Sequence, residues 1–204
     1  MIAHHVHDAL RQVRRLQELV FEKQFFRGYS GKARLASGGL ALAGAAVLAS
    51  GLVPSTPRGQ LAGWGVILVL GLLVNYLSLL YWFFFDPKVR RKPAMLKPAL
   101  AVVPAYAVGA TFTLVLVSAG QYDLLFGTWM CLYGLGQLAY RHTLPPGIFL
   151  VGLGYIICGC YMLLVPERSF LDPWPVGLVF CVGEIAGGAI LILKKKADVH
   201  EVGG

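Results

Sequence analysis

Apolar residues along the chain are gathered into six long runs that are separated by short polar loops. The runs extend over about 33–53, 62–85, 98–119, 124–140, 147–165 and 175–193. A helix needs about 20 apolar residues to cross the hydrocarbon core of a bilayer, within a range of about 17–25. The pattern therefore predicts an all-α, polytopic integral membrane protein with six transmembrane helices spanning 33–194.

Two polar segments flank the predicted bundle. Residues 1–32 are polar and basic, with apolar residues at helical spacing from about Asp8 to Phe26. This spacing predicts an N-terminal amphipathic helix on the cytoplasmic side, with Asp8 as its N-cap. Residues 195–204 are predicted to form a cytoplasmic tail.

Composition and charge agree with a membrane protein. Of the 204 residues, 57% are apolar and only 14% are charged, against roughly 25% charged residues in soluble domains. Sixteen of the 18 Lys and Arg residues lie on the side of the N-terminus, and only Arg58 and Arg168 on the other. The positive-inside rule therefore predicts cytoplasmic N- and C-termini in a cell membrane of the bacterial inner-membrane type. The net charge of +8 is then a membrane-surface feature, and no nucleic-acid partner is expected.

Glu184 lies at the middle of the sixth run. We treat it as the one charge inside the apolar runs, and we count Arg34 with the basic residues on the cytoplasmic side. A charged side chain at the bilayer centre costs roughly 2.5 kcal/mol or more, so it normally faces the protein interior. Helical spacing puts Glu184 on a face of mostly small residues: Gly177, Cys181, Glu184, Gly187, Gly188 and Leu191. The opposite, lipid-facing side consists of Leu178, Val182, Ile185, Ala189 and Ile192.

Other polar residues occur at a similar depth in the neighbouring runs. They are Asn75, Tyr106, Thr111, Tyr133 and Tyr155. A tyrosine hydroxyl or the Asn75 amide could donate a hydrogen bond to the Glu184 carboxylate. We predict a ligand- or ion-binding layer made of Glu184, Asn75, Tyr106, Tyr133 and Tyr155. The alternative is a single polar anchor that fixes the helix register, with the tyrosines as packing.

Most established membrane chemistries lack their residues here. Cys158 and Cys160 are two positions apart and diverge by about 200° on a helix, although Cys131 and Cys181 could meet. No histidine pair is placed to ligate a buried haem, and no hydrolase or phosphate-loop motif occurs. We therefore expect no catalytic residue, metal or cofactor, and the short loops favour a role other than that of an enzyme.

Two hypotheses of function remain. In the first, this small multi-pass protein binds or translocates a small solute, ion or proton at the Glu184 layer. In the second, it is a non-catalytic interaction or sensory subunit that anchors a partner through its basic cytoplasmic face, either anionic lipid, a second copy or another membrane protein. The basic residues assigned to that face are Arg11, Arg14, Arg15, Arg90, Arg91 and Lys92.

Overall fold

The computed structural model describes residues 11–13, 28–87, 102–139, 144–165 and 169–202, with the backbone alone for 198–202. Regular structure in this part of the chain is entirely helical, which confirms the all-α fold class. The long elements are α1 (Gly31–Ala49), α2 (Pro57–Phe85), α3 (Val103–Ser118), α4 (Leu125–Ala139), α5 (Pro146–Leu164) and α6 (Trp174–Val202). A 3₁₀ turn, Tyr122–Leu124, precedes α4.

The helix ends follow from local sequence. At α1, the Ser30 hydroxyl accepts a hydrogen bond from the backbone N–H of Ala33, and at α2 the Thr56 hydroxyl accepts one from Gly59. Such side chains satisfy backbone donors that have no partner in the first turn. Past the end of α1, Gly51 adopts a φ of +82°, which a residue with a side chain rarely adopts. The chain can therefore turn sharply from α1 toward α2.

Among the described residues, four helices are long and apolar enough to cross a membrane: α1, α2, α5 and residues 174–197 of α6. α3 and α4 are shorter, with 16 and 15 residues. Many large apolar side chains on these helices point outward, including Leu73 and Leu77 of α2 and Leu114 of α3. The fold is therefore consistent with the predicted membrane protein.

The observed bounds differ from the apolar runs at several ends. α2 begins at Pro57, five residues before the run that predicts it, because Thr56 caps it there. α6 continues to Val202, so the segment predicted as a tail is helical that far. Residues 11–13 are helical, while the rest of the predicted N-terminal helix lies outside the described residues.

Glycines set the closest helix contacts. α1 packs along α6, and α4 along α5. A Cβ at Gly188 of α6 would lie 2.7 Å from the carbonyl oxygen of Gly31 on α1, and one at Gly134 of α4 would lie 2.6 Å from that of Gly152 on α5. Small residues allow such backbone approach between membrane helices, where packing and hydrogen bonds drive association. The remaining packed pairs are α1 with α2, α3 with α4, and α5 with α6.

The predicted inward face of α6 is confirmed. All six of its residues are buried, whereas Leu178, Val182 and Ile185 on the opposite side are exposed. Glu184 is 3% exposed. The Glu184 carboxylate thus points into the bundle, against α1 on one side and α4 and α5 on the other.

Candidate functional site

Glu184 forms a buried ion pair with Arg34 of α1. Arg34 donates through Nε to Oε2 at 2.9 Å and through Nη2 to Oε1 at 2.7 Å. Both residues are 3% exposed. Paired N–H···O bonds of this kind combine charge with a fixed planar geometry, and they are among the strongest in proteins. The carboxylate therefore has a charged partner in the bundle core.

This pairing corrects the sequence-based placement of Arg34. We treated Glu184 as the one charge in the apolar runs, which is wrong, and we counted Arg34 only as one of the basic residues of the cytoplasmic side, without expecting it to be buried. Arg34 lies three residues after the start of α1, and it is buried together with Gly31 and Gly38. The reason is antiparallel packing, which brings the first turn of α1 to the level of Gly187 and Gly188 in α6.

Two tyrosines complete the surroundings of the carboxylate. Tyr133 of α4 donates its hydroxyl to Glu184 Oε1 at 2.7 Å, and Tyr155 of α5 donates to the same oxygen at 3.3 Å. The two rings pack edge to face with centroids 4.9 Å apart, and Phe180 packs against both at 5.1 Å. Side chains from α1, α4 and α5 therefore converge on a single carboxylate of α6.

Glycines on α6 make room for these partners. A Cβ at Gly187 would lie 2.6 Å from Cζ of Arg34, and a Cβ at Gly183 would overlap the ring of Tyr155. Gly183 and Gly187 have the G-x-x-x-G spacing that often admits a neighbouring backbone in membrane helices. Here it admits a guanidinium and a phenol ring, which lie on either side of Glu184.

Beside this cluster lies a cavity of about 640 Å³. Arg34, Glu184 and Tyr133 line it, so one wall is the ion pair itself. The remaining walls come from α1, α2, α3, α4 and the first half of α6. A volume of this size is within the roughly 300–1,000 Å³ range of small-molecule sites.

The other residues predicted for this layer differ in whether they line the cavity or contact Glu184. Asn75 lines the cavity and donates to Ser37 Oγ of α1 at 2.7 Å. Tyr106 also lines the cavity. Tyr155 contacts the carboxylate but is not part of the cavity wall. Thr111, which we placed in the same layer, is exposed and bonds to the carbonyl of Ala107 in its own helix, so that placement is wrong.

Three polar residues at the site were missed from the sequence. Arg34 also donates through Nη1 to Gln137 Oε1 at 3.2 Å, which links α1 to α4. Gln137 and Ser37 both line the cavity. The signal for Arg34 is its spacing, because it belongs to a stripe at three- and four-residue intervals that is otherwise small or apolar: Gly31, Arg34, Gly38, Ala41, Ala45 and Leu48. No comparable signal marks Gln137, whose role depends on where Arg34 lies.

The cysteines are arranged differently from the expectation. Cys131 of α4 lies beside Cys160 of α5, with the two sulfurs 3.9 Å apart, whereas we considered a meeting with Cys181. All four cysteines are free thiols. Within the described ranges, no group of three or more His, Cys, Asp or Glu residues could hold a metal ion.

The basic residues assigned to the cytoplasmic face are mostly outside this description. Arg11 is exposed within the helical residues 11–13. Arg14, Arg15, Arg90, Arg91 and Lys92 lie outside the described residues. The predicted contact with anionic lipid or a partner therefore stays a prediction.

Comparison with known proteins adds no relative. No family model matches the chain, and no curated protein or solved structure matches it. The function that follows therefore depends on the geometry of this site.

Proposed function

We propose that this protein binds or translocates a small solute at a mid-membrane polar site centred on Glu184. The observation that carries the proposal is the 640 Å³ cavity whose wall includes the Arg34–Glu184 pair. A carboxylate that served only as a packing anchor would need no such space beside it. Asn75, Tyr106 and Tyr133 line the same cavity and form the binding surface with Glu184.

Among the solutes first considered, an ion or a proton fits the site less well than a molecule. Glu184 already accepts hydrogen bonds from Arg34, Tyr133 and Tyr155. A cation would have to displace a guanidinium that is fixed by two short bonds, and breaking a buried pair is strongly unfavourable. A molecule that occupies the cavity leaves the pair intact.

In the topology that accompanies this proposal, the chain crosses the cell membrane six times, with both termini cytoplasmic. The excess of Lys and Arg on the N-terminal side supports this orientation. A contact between the segment just before α1 and the C-terminal part of α6 agrees with termini on one side, since Lys195 Nζ donates to the carbonyl of Tyr29 at 2.6 Å. α3 and α4 are the two short spans. At 1.5 Å per residue, their described parts are about 24 and 22 Å long.

A glycine inside the cavity offers a direct test. Gly71 of α2 lines the cavity, and a side chain there would meet no described atom within 4 Å. Gly39 of α1 also has open space but does not line the cavity. Gly71→Phe should fill the site while Gly39→Phe leaves it unchanged. Native mass spectrometry from mild detergent would measure the fraction of protein that carries a copurified small molecule.

We expect that fraction to fall about tenfold or more in Gly71→Phe and to stay at the wild-type level in Gly39→Phe. A wild-type protein that carries no bound molecule, or equal effects of the two variants, would contradict the proposal. Glu184→Gln should also reduce binding in protein that still inserts. If that variant binds normally while neutralising Arg11, Arg14, Arg15 and Arg90–Lys92 abolishes the protein's cellular function, the interaction-subunit hypothesis is favoured instead.

A further inference from the structure

The cavity has a polar part and an apolar part. Arg34, Tyr133 and Glu184 are joined by hydrogen bonds at one level of the bundle. On the side of the C-terminal half of α1 and the N-terminal third of α2, the walls are mostly apolar. They consist of Ala41, Leu61, Trp64, Leu68, Val176 and Phe180. Thr113 and Trp129, which also lie in this direction, bond to each other at 2.9 Å. A ligand that fits these walls has one polar end and an apolar body.

Among the described residues, those that line the cavity carry no uncompensated charge. Arg34 and Glu184 are the only charged side chains that line it in the described part of the chain, and they neutralise each other. A charged ligand would enter this low-dielectric space without a counter-ion, which is strongly unfavourable. The walls therefore select a neutral molecule.

Hydrogen-bonding capacity remains for its polar end on several lining residues, including Asn75, Tyr76, Tyr106 and Gln137. The Tyr106 hydroxyl lines the cavity and makes no hydrogen bond to another residue that the structure describes. Gln137 accepts from Arg34 through its carbonyl oxygen, so its amide N–H groups are left to donate. One donor-acceptor hydroxyl and one amide donor suit a hydroxyl or carbonyl head.

The entrance lies between α2 and α3. α2 packs on α1 and α3 on α4, but α2 and α3 share no extensive contact, and no residue of α3 is buried. Leu68 of α2 and Leu114 of α3 both line the cavity, yet they are 57% and 73% exposed. Both leucines lie within apolar helices, so this gap faces acyl chains rather than water.

We infer that the ligand is a neutral amphiphile dissolved in the bilayer, with a single hydroxyl or carbonyl head, that enters between α2 and α3. This inference depends on the proposed binding function and names its ligand class. The head lies against Tyr106 and Gln137, and the apolar body extends toward Trp64. The Arg34–Glu184 pair orients the polar wall and remains closed while the ligand binds.

The test uses the full-length protein in phosphatidylcholine vesicles and a long-chain alcohol that carries a photoreactive diazirine. Labelling should map by peptide mass spectrometry to α2 and α3 around Leu68 and Leu114. An excess of unlabelled long-chain alcohol should suppress it, and the fatty acid of the same length, ionised at alkaline pH, should not. We expect labelling to fall at least about tenfold in Gly71→Phe and to be unchanged in Gly39→Phe.

Gly65 supplies a second filled-cavity variant if Gly71→Phe folds poorly, because it also lines the cavity with open space around it. Equal competition by the ionised fatty acid would overturn the neutral-ligand inference. The ligand class would also be wrong if the alcohol did not label the wild-type protein while another molecule still copurified with it and was lost in Gly71→Phe. In that case the proposed binding function would stand. Absence of both labelling and any copurified molecule would overturn both.

Discussion

Removing one member of the Arg34–Glu184 pair should destabilise the bundle far more than removing any neighbouring hydrogen bond. Glu184→Gln leaves the Arg34 guanidinium charged and 3% exposed, and breaking a buried ion pair in this way costs about 3–5 kcal/mol. Tyr133→Phe removes one neutral donor at 2.7 Å. Interhelical hydrogen bonds in a membrane protein average about 0.6 kcal/mol, with a maximum near 1.7. Tyr155→Phe should lose less than Tyr133→Phe, since its bond is 3.3 Å long.

A double-mutant cycle separates the pair from its surroundings. Arg34→Met combined with Glu184→Met removes both charges and keeps comparable volume, so no buried charge is left over. Buried ion pairs replaced by apolar residues in this way are often neutral or stabilising. We expect the double variant to be more stable than either single variant, with a coupling energy of about 3 kcal/mol or more.

Unfolding of the purified protein by SDS in lipid bicelles, followed through its four tryptophans, gives the free energies for this cycle. Additive single effects, or a Glu184→Gln variant no less stable than Tyr133→Phe, would refute the ion-pair reasoning. Those results would mean that Arg34 reaches the membrane surface instead of pairing with Glu184, and that it is not part of the cavity wall.

Three smaller predictions concern helix packing. Gly134→Leu should destabilise the α4–α5 contact by about 1–3 kcal/mol or prevent folding, because a Cβ at Gly134 would lie 2.6 Å from a backbone carbonyl oxygen. Gly154→Leu is the control, since a Cβ at Gly154 has no atom within 4 Å. The same SDS titration should show that this control variant is tolerated. Mild oxidation should form a disulfide within one chain between Cys131 and Cys160, whose sulfurs are 3.9 Å apart. Intact-mass measurement should then show the loss of two hydrogens. Disulfides that form only between chains would contradict the α4–α5 packing. Asn75→Leu should weaken the α1–α2 contact by about 0.6 kcal/mol, since it removes the 2.7 Å bond to the serine of α1, and no change in the unfolding midpoint would argue against that bond.

The sequence predicted the helical class and the buried face of α6 because both depend on local periodicity. Each position on that face can be read from the spacing of small residues around Glu184. The two tyrosines that bond to Glu184 could be proposed from their depth in the apolar runs. Depth alone could not separate them from Thr111, since which way a side chain points depends on the rotation of its helix in the bundle.

The ion pair could not be derived from the sequence in this way. Arg34 is the second residue of its apolar run, where a basic residue ordinarily marks the membrane surface. Its burial depends on α1 lying against α6, and no local pattern fixes which of the helices are neighbours. The small-residue stripe that contains Arg34 indicates a packed face, yet it does not identify the partner helix. The cavity depends on the gap between α2 and α3, which is likewise a property of the assembled bundle.

The two charges of the pair are separated by 150 residues in the chain, and this has a consequence for biosynthesis. At about 5–20 residues per second, a ribosome needs about 8–30 s to reach Glu184 after Arg34 has been made. In the proposed topology, α1 would be made and inserted during that interval without the carboxylate that pairs with Arg34. Its position in the first turn lets the long Arg34 side chain reach the lipid headgroups while it waits. In the proposed topology, the carboxylate that pairs with Arg34 becomes available only when α6 inserts, so we expect Arg34 to become buried late in synthesis.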